Sequence, residues 1–384
     1  MLESLSIHNF KLHANTDIQF GGLTLLTGIN GMGKSTILQS LLLLRQSFQH
    51  NGLRKGLNLR GELVDLGISG KLACQSEDSN ELRLRLYFSD CMFHYCFEYP
   101  EDAMETYMPL KYDVDDIDND DYIETYENLS NQGLFNSDFQ YISAFRFGPM
   151  VSYSRDSAVV SHEKQISKEQ GKCEYAIHFL YHYASQPILE ELVLPDSSGN
   201  KNTQLFAQTE LWLQKVSPKI HVKIEPFGED FKLNYKFDRV DNLITDEISA
   251  INTGFGISYL LPIIVGILSA KPGAIILIEN PEAHVHPKGQ SILMELVTLA
   301  VSNGIQIIIE THSDHIINGT LVNVKRKILR PEDVAVYFFT RDEHLHTART
   351  HQLAVNSHGQ IIRPPKDFFD QMQIDLRVLT GLDD

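Results

Sequence analysis

Along the chain, apolar and polar positions group into runs that predict elements before any chemistry is considered. "ESLSIHNF" (3–10) and "TDIQFGGLTLLTG" (16–28) are apolar-rich, bounded by polar turns, and lead into "KSTILQSLLLLRQSF" (34–48), a helix opening in Ser and Thr. In "NELRLRLYFSDCMFHYCFEYP" (80–100), Leu82, Leu84, Leu86 and Phe88 alternate with polar residues and a Ser-Asp turn follows, predicting an antiparallel hairpin. A second alternating hairpin is predicted over "KIHVKIEPFGEDFKLNYKF" (219–237), after helices over "EYAIHFLYHYA" and "TQLFAQTELWLQKV". The last third changes character. "ISYLLPIIVGIL", "AIILIEN", "GQSILMELVTLAVSNG" and "IQIIIETHS" read as helix, buried strand, helix, buried strand, the signature of a parallel sheet covered on both faces. No heptad or internal repeat predicts a coiled-coil arm.

A chain of 384 residues with 42% apolar content can bury a large core and hold two or three domains. No apolar run reaches the roughly 18–20 residues of a membrane span, and the polar start does not read as a secretory signal, so the expected compartment is the cytosol. The formal charge of −17 argues against nonspecific nucleic-acid binding. Most of it sits between Glu101 and Asp138, where twelve acids face the single base Lys111. Basic groups remain at Arg54, Lys55 and Arg60 and at Lys325, Arg326, Lys327 and Arg330, so a DNA- or RNA-contacting face is neither excluded nor supported. The acidic stretch reads as a solvated insertion. Its "DVDDIDNDD" lacks the central Gly and terminal Glu of a calcium loop, and Cys91, His94 and Cys96 read as strand residues rather than metal ligands.

The strongest chemical signal is "GINGMGKST". Gly28 and Gly33-Lys34-Ser35 have P-loop spacing between a strand and a helix, the context a phosphate-cradling loop needs. Gly28, Gly31 and Gly33 allow the tight turn, Lys34 can neutralise phosphates, and the Ser35 hydroxyl, with Thr36 behind it, can ligate Mg²⁺. Four apolar residues in "AIILIEN" then run into Glu279, as in the strand that carries a metal-holding acid. A second acid ordinarily follows. Here Asn280 does, and an amide can position water without accepting its proton, so either hydrolysis is slow or Glu282 takes the role.

With Asn30, and preceded by "IHNFKLH", the loop resembles the head domains of ABC-type ATPases such as structural-maintenance, Rad50-like and RecF-like proteins. That resemblance implies a mixed-sheet α/β P-loop head split by an α+β insertion, using ATP and Mg²⁺. It implies a signature motif before a helix, carried by Asn252, Thr253, Gly254 and Gly256, and a switch histidine after a strand, carried by His312. The run "PEAHVHP" resembles ABC-type ATPases related to the overcoming-lysogenisation-defect nucleases, many of which work in antiphage defence. "FQYISAFRFGP", with Arg146, and the Phe368–Gln371 run Phe-Phe-Asp-Gln resemble a bacterial AAA group ending in a small domain of unknown function, although Pro-Pro-Lys-Asp replaces the expected Trp-Pro-x-Gly.

The expected organisation is an N-terminal ATPase lobe (1–100), an acidic loop with an α+β insertion (101–245), a C-terminal ATPase lobe (246–330) and a small extension (331–384). Glu279 and Ser35 are the expected metal residues; Glu279, Asn280, Glu282 and His312 are the expected catalytic set. The resemblance further implies an ATP-sandwiched head-to-tail homodimer. After His312 too little chain remains for a Toprim nuclease, and no Gly-x-Ser-x-Gly turn supplies a hydrolase, so an effector acting in trans is expected, in a defence system of the Septu or retron type. Two other readings stay open: a DNA-repair or structural-maintenance ATPase acting on DNA, and a metal-dependent nuclease using Asp115 and Asp118.

Overall fold

Alternation of buried and exposed side chains builds the first layer of the computed structural model, which describes residues 1–51, 53–111, 126–239, 243–366, 368–369 and 371–381. The strands β1 (Leu2–Phe10) and β2 (His13–Gln19) pair antiparallel, and β3 (Leu23–Gly28) turns away into another sheet before α1 (Lys34–Asn51). After the short β4 (Gly56–Asn58), the hairpin β5 (Glu81–Phe88) and β6 (Met92–Glu98) joins the first pair in the order β2-β1-β5-β6. A short β7 (Tyr107–Pro109) pairs with β4. The expected calcium-like stretch 113–121, with Asp115 and Asp118, lies outside the described residues.

Next come β8 (Gln140–Ile142), α2 (Ala176–His182) and α3 (Leu205–Val216), and the antiparallel pair β9 (Ile220–Phe227) and β10 (Asp230–Phe237) with a short β11 (Ile248–Ser249). The C-terminal third runs α4 (Phe255–Leu268), β12 (Ile275–Glu279), α5 (Pro287–Ser302), β13 (Gln306–Glu310) and α6 (Asp314–Lys325). It closes with β14 (Val334–Asp342), β15 (Thr347–Leu353) and α7 (Gln371–Thr380).

The central sheet has six strands in the order β15-β14-β3-β13-β12-β8, all parallel except the antiparallel edge strand β15. Its apolar runs are continuous because both faces are covered. Ile276, Ile278, Ile307 and Ile309 enter a core against the helices α2 to α6, while Ile275, Leu277 and Ile308 enter a second core with α1 and the β1/β2/β5/β6 sheet. Truncating any of these to Ala would cost about 2–5 kcal/mol. Sequence reading anticipates both hairpins and the parallel strands. Two contributions to the sheet come from outside the expected ATPase lobes: β8 from the segment expected to be an insertion, and β14 and β15 from the segment expected to be a small C-terminal extension. Among the described residues no helix is long and apolar enough to cross a membrane.

Candidate nucleotide site

All five parallel strands bring their C-terminal ends to one edge of the sheet, and the motif residues of β3, β12 and β13 collect there. Gly28 ends β3 at φ 131°, and a Cβ there would lie 2.5 Å from the Phe339 carbonyl oxygen, so only glycine fits. Gly33 has φ 97°, and its Cβ would lie 2.8 Å from His13 Nε2. That imidazole is buried under the loop, bonded to Thr16 Oγ1 at 2.9 Å and to the Gly33 carbonyl at 3.0 Å. Burial pushes its pKa down to about 4, so it is a neutral strut at physiological pH.

Lys34 opens α1 and is buried, its ammonium donating to the carbonyls of Gly28 and Ile29, both at 2.8 Å. Burial lowers its pKa and the Glu310 carboxylate opposes the shift. Next to it the Ser35 hydroxyl donates to Glu310 Oε1 at 2.9 Å. Glu310, which ends β13, is buried, and its other oxygen Oε2 has no hydrogen-bond partner. Burial, with repulsion from Glu279 and Glu282, pushes its pKa up to about 7 against the pull of Ser35 and Lys34.

Glu279 sits in register beside Glu310 on the neighbouring strand. Its Oε1 accepts from the Tyr141 hydroxyl at 3.0 Å and its Oε2 from the Ala144 amide at 3.2 Å; burial raises its pKa and these donors oppose the rise. The Ser35 hydroxyl expected beside Glu279 is therefore directed to Glu310. Strand order explains this: β13 lies between β3 and β12, so its terminal carboxylate is the one adjacent to the P-loop.

Asn280 has φ 43°, a left-handed turn that Asn tolerates better than most residues. Its amide N–H donates to the Glu310 carbonyl at 2.8 Å, and its side-chain oxygen is buried without a partner. Glu282 is held differently. Thr311 Oγ1 donates to its Oε2 at 2.8 Å and the His312 amide to its Oε1 at 2.7 Å, fixing the carboxylate beside His312. Burial and Lys34 lower the His312 pKa, opposed by Glu282 and a bond to the Gly28 carbonyl.

Arg146 braces this turn from behind. Its guanidinium is 1% exposed and donates to the carbonyls of Ser143, Glu279, Asn280 and, through Nε, Tyr259 in α4, all at 3.0–3.1 Å. Arg146 thus ties the strand end of β12 to the helix behind the 252–256 motif.

That motif lies elsewhere on the surface. Asn252 and Gly254 are exposed, the Thr253 hydroxyl donates to the Ser249 carbonyl at 3.2 Å, and Gly254 caps α4. A Cβ on Gly254 would meet nothing within 4 Å, whereas on Gly256 it would lie 2.7 Å from the His284 carbonyl. Neither they nor Asn252 and Thr253 line the cleft over the P-loop, whose walls include Lys11, Asn30, Gly31, Ser35, Thr36 and Glu310.

Sequence reading singled out Asn30, Lys34, Ser35, Glu279, Glu282 and His312, and the fold gathers the P-loop, Glu279, Glu282 and His312 at one sheet edge. It missed Glu310, His13, Lys11, Thr311 and Tyr141. Glu310 carried a readable signal: "QIIIE" ends an apolar run in an acid just as "IILIE" does. Among the described residues no group of three or more His, Cys, Asp or Glu is arranged to hold a metal by itself. Mg²⁺ is commonly held by one or two protein oxygens with water and substrate phosphates completing its shell. The unpartnered Glu310 Oε2, next to the Ser35 hydroxyl, fits such an ion.

A family model described as "AAA domain, putative AbiEii toxin, Type IV TA system" matches residues 23–318, and one described as "Protein of unknown function (DUF3696)" matches residues 329–379. No curated protein sequence matches the chain. Among solved structures, the fold is similar to "Crystal structure of the SmcHead bound to the C-winged helix domain of ScpA", at TM-score 0.56 and 12% identity over 92% of this chain and 98% of that one. The "SMC head domain from Thermotoga maritima" aligns at TM-score 0.48 and 10% identity, over 92% of this chain and 99% of that one. The chain thus shares the fold of the first of these SMC heads.

Proposed function

This chain belongs to the AAA-domain family matched over residues 23–318, and from that premise we propose that it binds ATP with Mg²⁺ on the P-loop and hydrolyses it slowly, using Glu282 to orient the attacking water. The clamp on Glu282 carries the reading: Thr311 and the His312 amide hold both of its oxygens at the sheet edge that ends in the P-loop. Asn280, with its side-chain oxygen buried and its backbone spent on the left-handed turn, is the turn residue rather than the base.

Phosphoryl transfer depends chiefly on positioning and charge, which these residues supply. The Lys34 ammonium exchanges the Gly28 and Ile29 carbonyls for phosphate oxygens. Ser35 and Glu310 would hold Mg²⁺, with Glu279 behind them. When bound, Mg²⁺ supplies neutralisation of charge building up on the transferring and leaving phosphates. Glu282 accepts a hydrogen bond from water, and neutral His312 helps to aim it.

Two copies, in this reading, sandwich ATP head to tail, with Thr253, Gly254 and the exposed Phe255 of one meeting the nucleotide on the other. The exposed, uncluttered Gly254 at the mouth of α4 supports it. Dimer closure and opening then regulate a partner effector in the cytosol, in bacterial antiphage defence of the Septu or retron type; the AbiEii wording of the family supports that setting. Titration of ATP and Mg²⁺ into wild type and Lys34→Ala tests the first step. Micromolar binding lost in the variant is expected, and equal binding by both would overturn the P-loop assignment.

A further inference from the structure

Lys11 and Leu12 line both the cleft over the P-loop and a second cavity beside it. The second is closed by Lys71, Ala73 and Gln75 on one side and by His346 on the other. His346 stands at the tip of the β14–β15 hairpin, within the region matched to the family of unknown function.

Two contacts fix this hairpin against the P-loop and the turn that packs under it. Phe339 of β14 pairs in parallel register with Gly28, the last residue of β3. Ala348 of β15 donates its amide to the Leu12 carbonyl at 2.7 Å, and its methyl would lie 3.2 Å from a Cβ on Gly33. The tip itself is pre-formed: the Asp342 carboxylate accepts from the amides of His344 at 2.9 Å and Leu345 at 3.0 Å, and the His346 amide donates to the Asp342 carbonyl at 2.9 Å. On the opposite wall, the Lys11 amide donates to the Leu72 carbonyl at 2.6 Å, tying residues 71–75 to the same turn.

We propose that this second cavity receives the nucleoside half of a nucleotide whose phosphates lie on the P-loop, so that the C-terminal hairpin is one wall of the nucleotide site. The inference rests on the phosphate assignment made above. A 5′-phosphate chain leaves its sugar within one ester bond, and the cavity adjoining the phosphate cleft is where sugar and base fall. Its walls suit them. Leu12 and Ala73 offer an apolar floor, the Gln75 amide can donate to and accept from a base edge, and His346 and Lys11 can bond ribose hydroxyls or lie over a base face. The region of unknown function thereby becomes the part of the chain that distinguishes a nucleotide from a bare polyphosphate.

Calorimetric titration of the full chain with MgATP and, separately, with magnesium tripolyphosphate tests this on wild type, the doubly substituted Gln75→Ala/His346→Ala and Lys34→Ala. Gln75 and His346 are exposed, so the double variant should fold. Expected is a loss of at least fivefold in ATP affinity in the double variant with tripolyphosphate affinity unchanged, while Lys34→Ala weakens both. Unchanged ATP affinity, or equal weakening of both probes, in the double variant overturns the inference and leaves the phosphate site standing if Lys34→Ala still weakens both. Unchanged binding of both probes in Lys34→Ala overturns the phosphate site and the inference with it.

Discussion

The Ser35 hydroxyl donates to Glu310 at 2.9 Å, and the other oxygen of that buried carboxylate is unpartnered. A buried carboxylate next to a phosphate loop costs stability by itself and repays it only with a cation. Glu310→Gln separates the two effects. With its pKa raised to about 7, this carboxyl's favourable contribution is complete below the ordinary glutamate range near 4.5 and is lost as pH rises through 7. The nucleotide-free variant should therefore be more stable than wild type at pH 8, by up to about 3 kcal/mol in urea unfolding, and indistinguishable near pH 4.5. Its Mg²⁺-dependent ATP binding should fall at least tenfold. A variant less stable at pH 8 would show that the carboxylate is satisfied as it stands.

His13 titrates in the opposite sense. Its pKa of about 4 lies below the ordinary value of 6.5, so the unfolded chain takes up a proton first as pH falls. Stability is fully present above pH 6.5 and drains away toward pH 4, amounting to about 2 kcal/mol from this group by pH 5. Replacing it by Gln, which can still donate to the Gly33 carbonyl, should reduce by that amount the stability lost between pH 8 and pH 5, read from urea midpoints. An unchanged loss would mean that His13 is not the group responsible.

Arg146 should resist conservative replacement. Lysine keeps the charge but cannot span the carbonyls of Ser143, Glu279, Asn280 and Tyr259. Arg146→Lys is expected to lose about 3 kcal/mol of stability and most ATP turnover, with ATP affinity within about threefold of wild type. Turnover equal to wild type would release Arg146 from any part in positioning the turn.

Gly254→Asp should leave folding intact, since a side chain there meets nothing within 4 Å. In the head-to-tail dimer its carboxylate would face nucleotide phosphates. ATP-dependent dimers, read by light scattering, should disappear while ATP binding persists. Persistence of the dimer would place the contact elsewhere.

The P-loop was legible because its signals are local: glycine spacing, a strand before it and a helix after it. The strand ending in Glu279 was legible for the same reason, as an apolar run closed by an acid. Glu310 closes a similar run, but its adjacency to Ser35 was not legible, because it follows from β13 lying between β3 and β12, and strand order is a tertiary property. Asn280 looked like a missing base in the sequence, and only its φ of 43° gives it a structural reason to be there. His13 and Arg146 act through backbone carbonyls, and no side-chain pattern announces such contacts. The β14–β15 hairpin, within the expected small C-terminal extension, shares the central sheet and flanks the P-loop, a placement that again follows from strand order.

The most direct measurement is ATP turnover with particle mass in the same samples, for wild type, Glu282→Gln and Asn280→Ala. Expected are slow turnover by wild type, loss of at least a hundredfold in Glu282→Gln with ATP-bound dimers accumulating, and a retained fraction of the rate in Asn280→Ala. Full turnover by Glu282→Gln, with the loss falling on Asn280→Ala instead, would contradict the role proposed for Glu282.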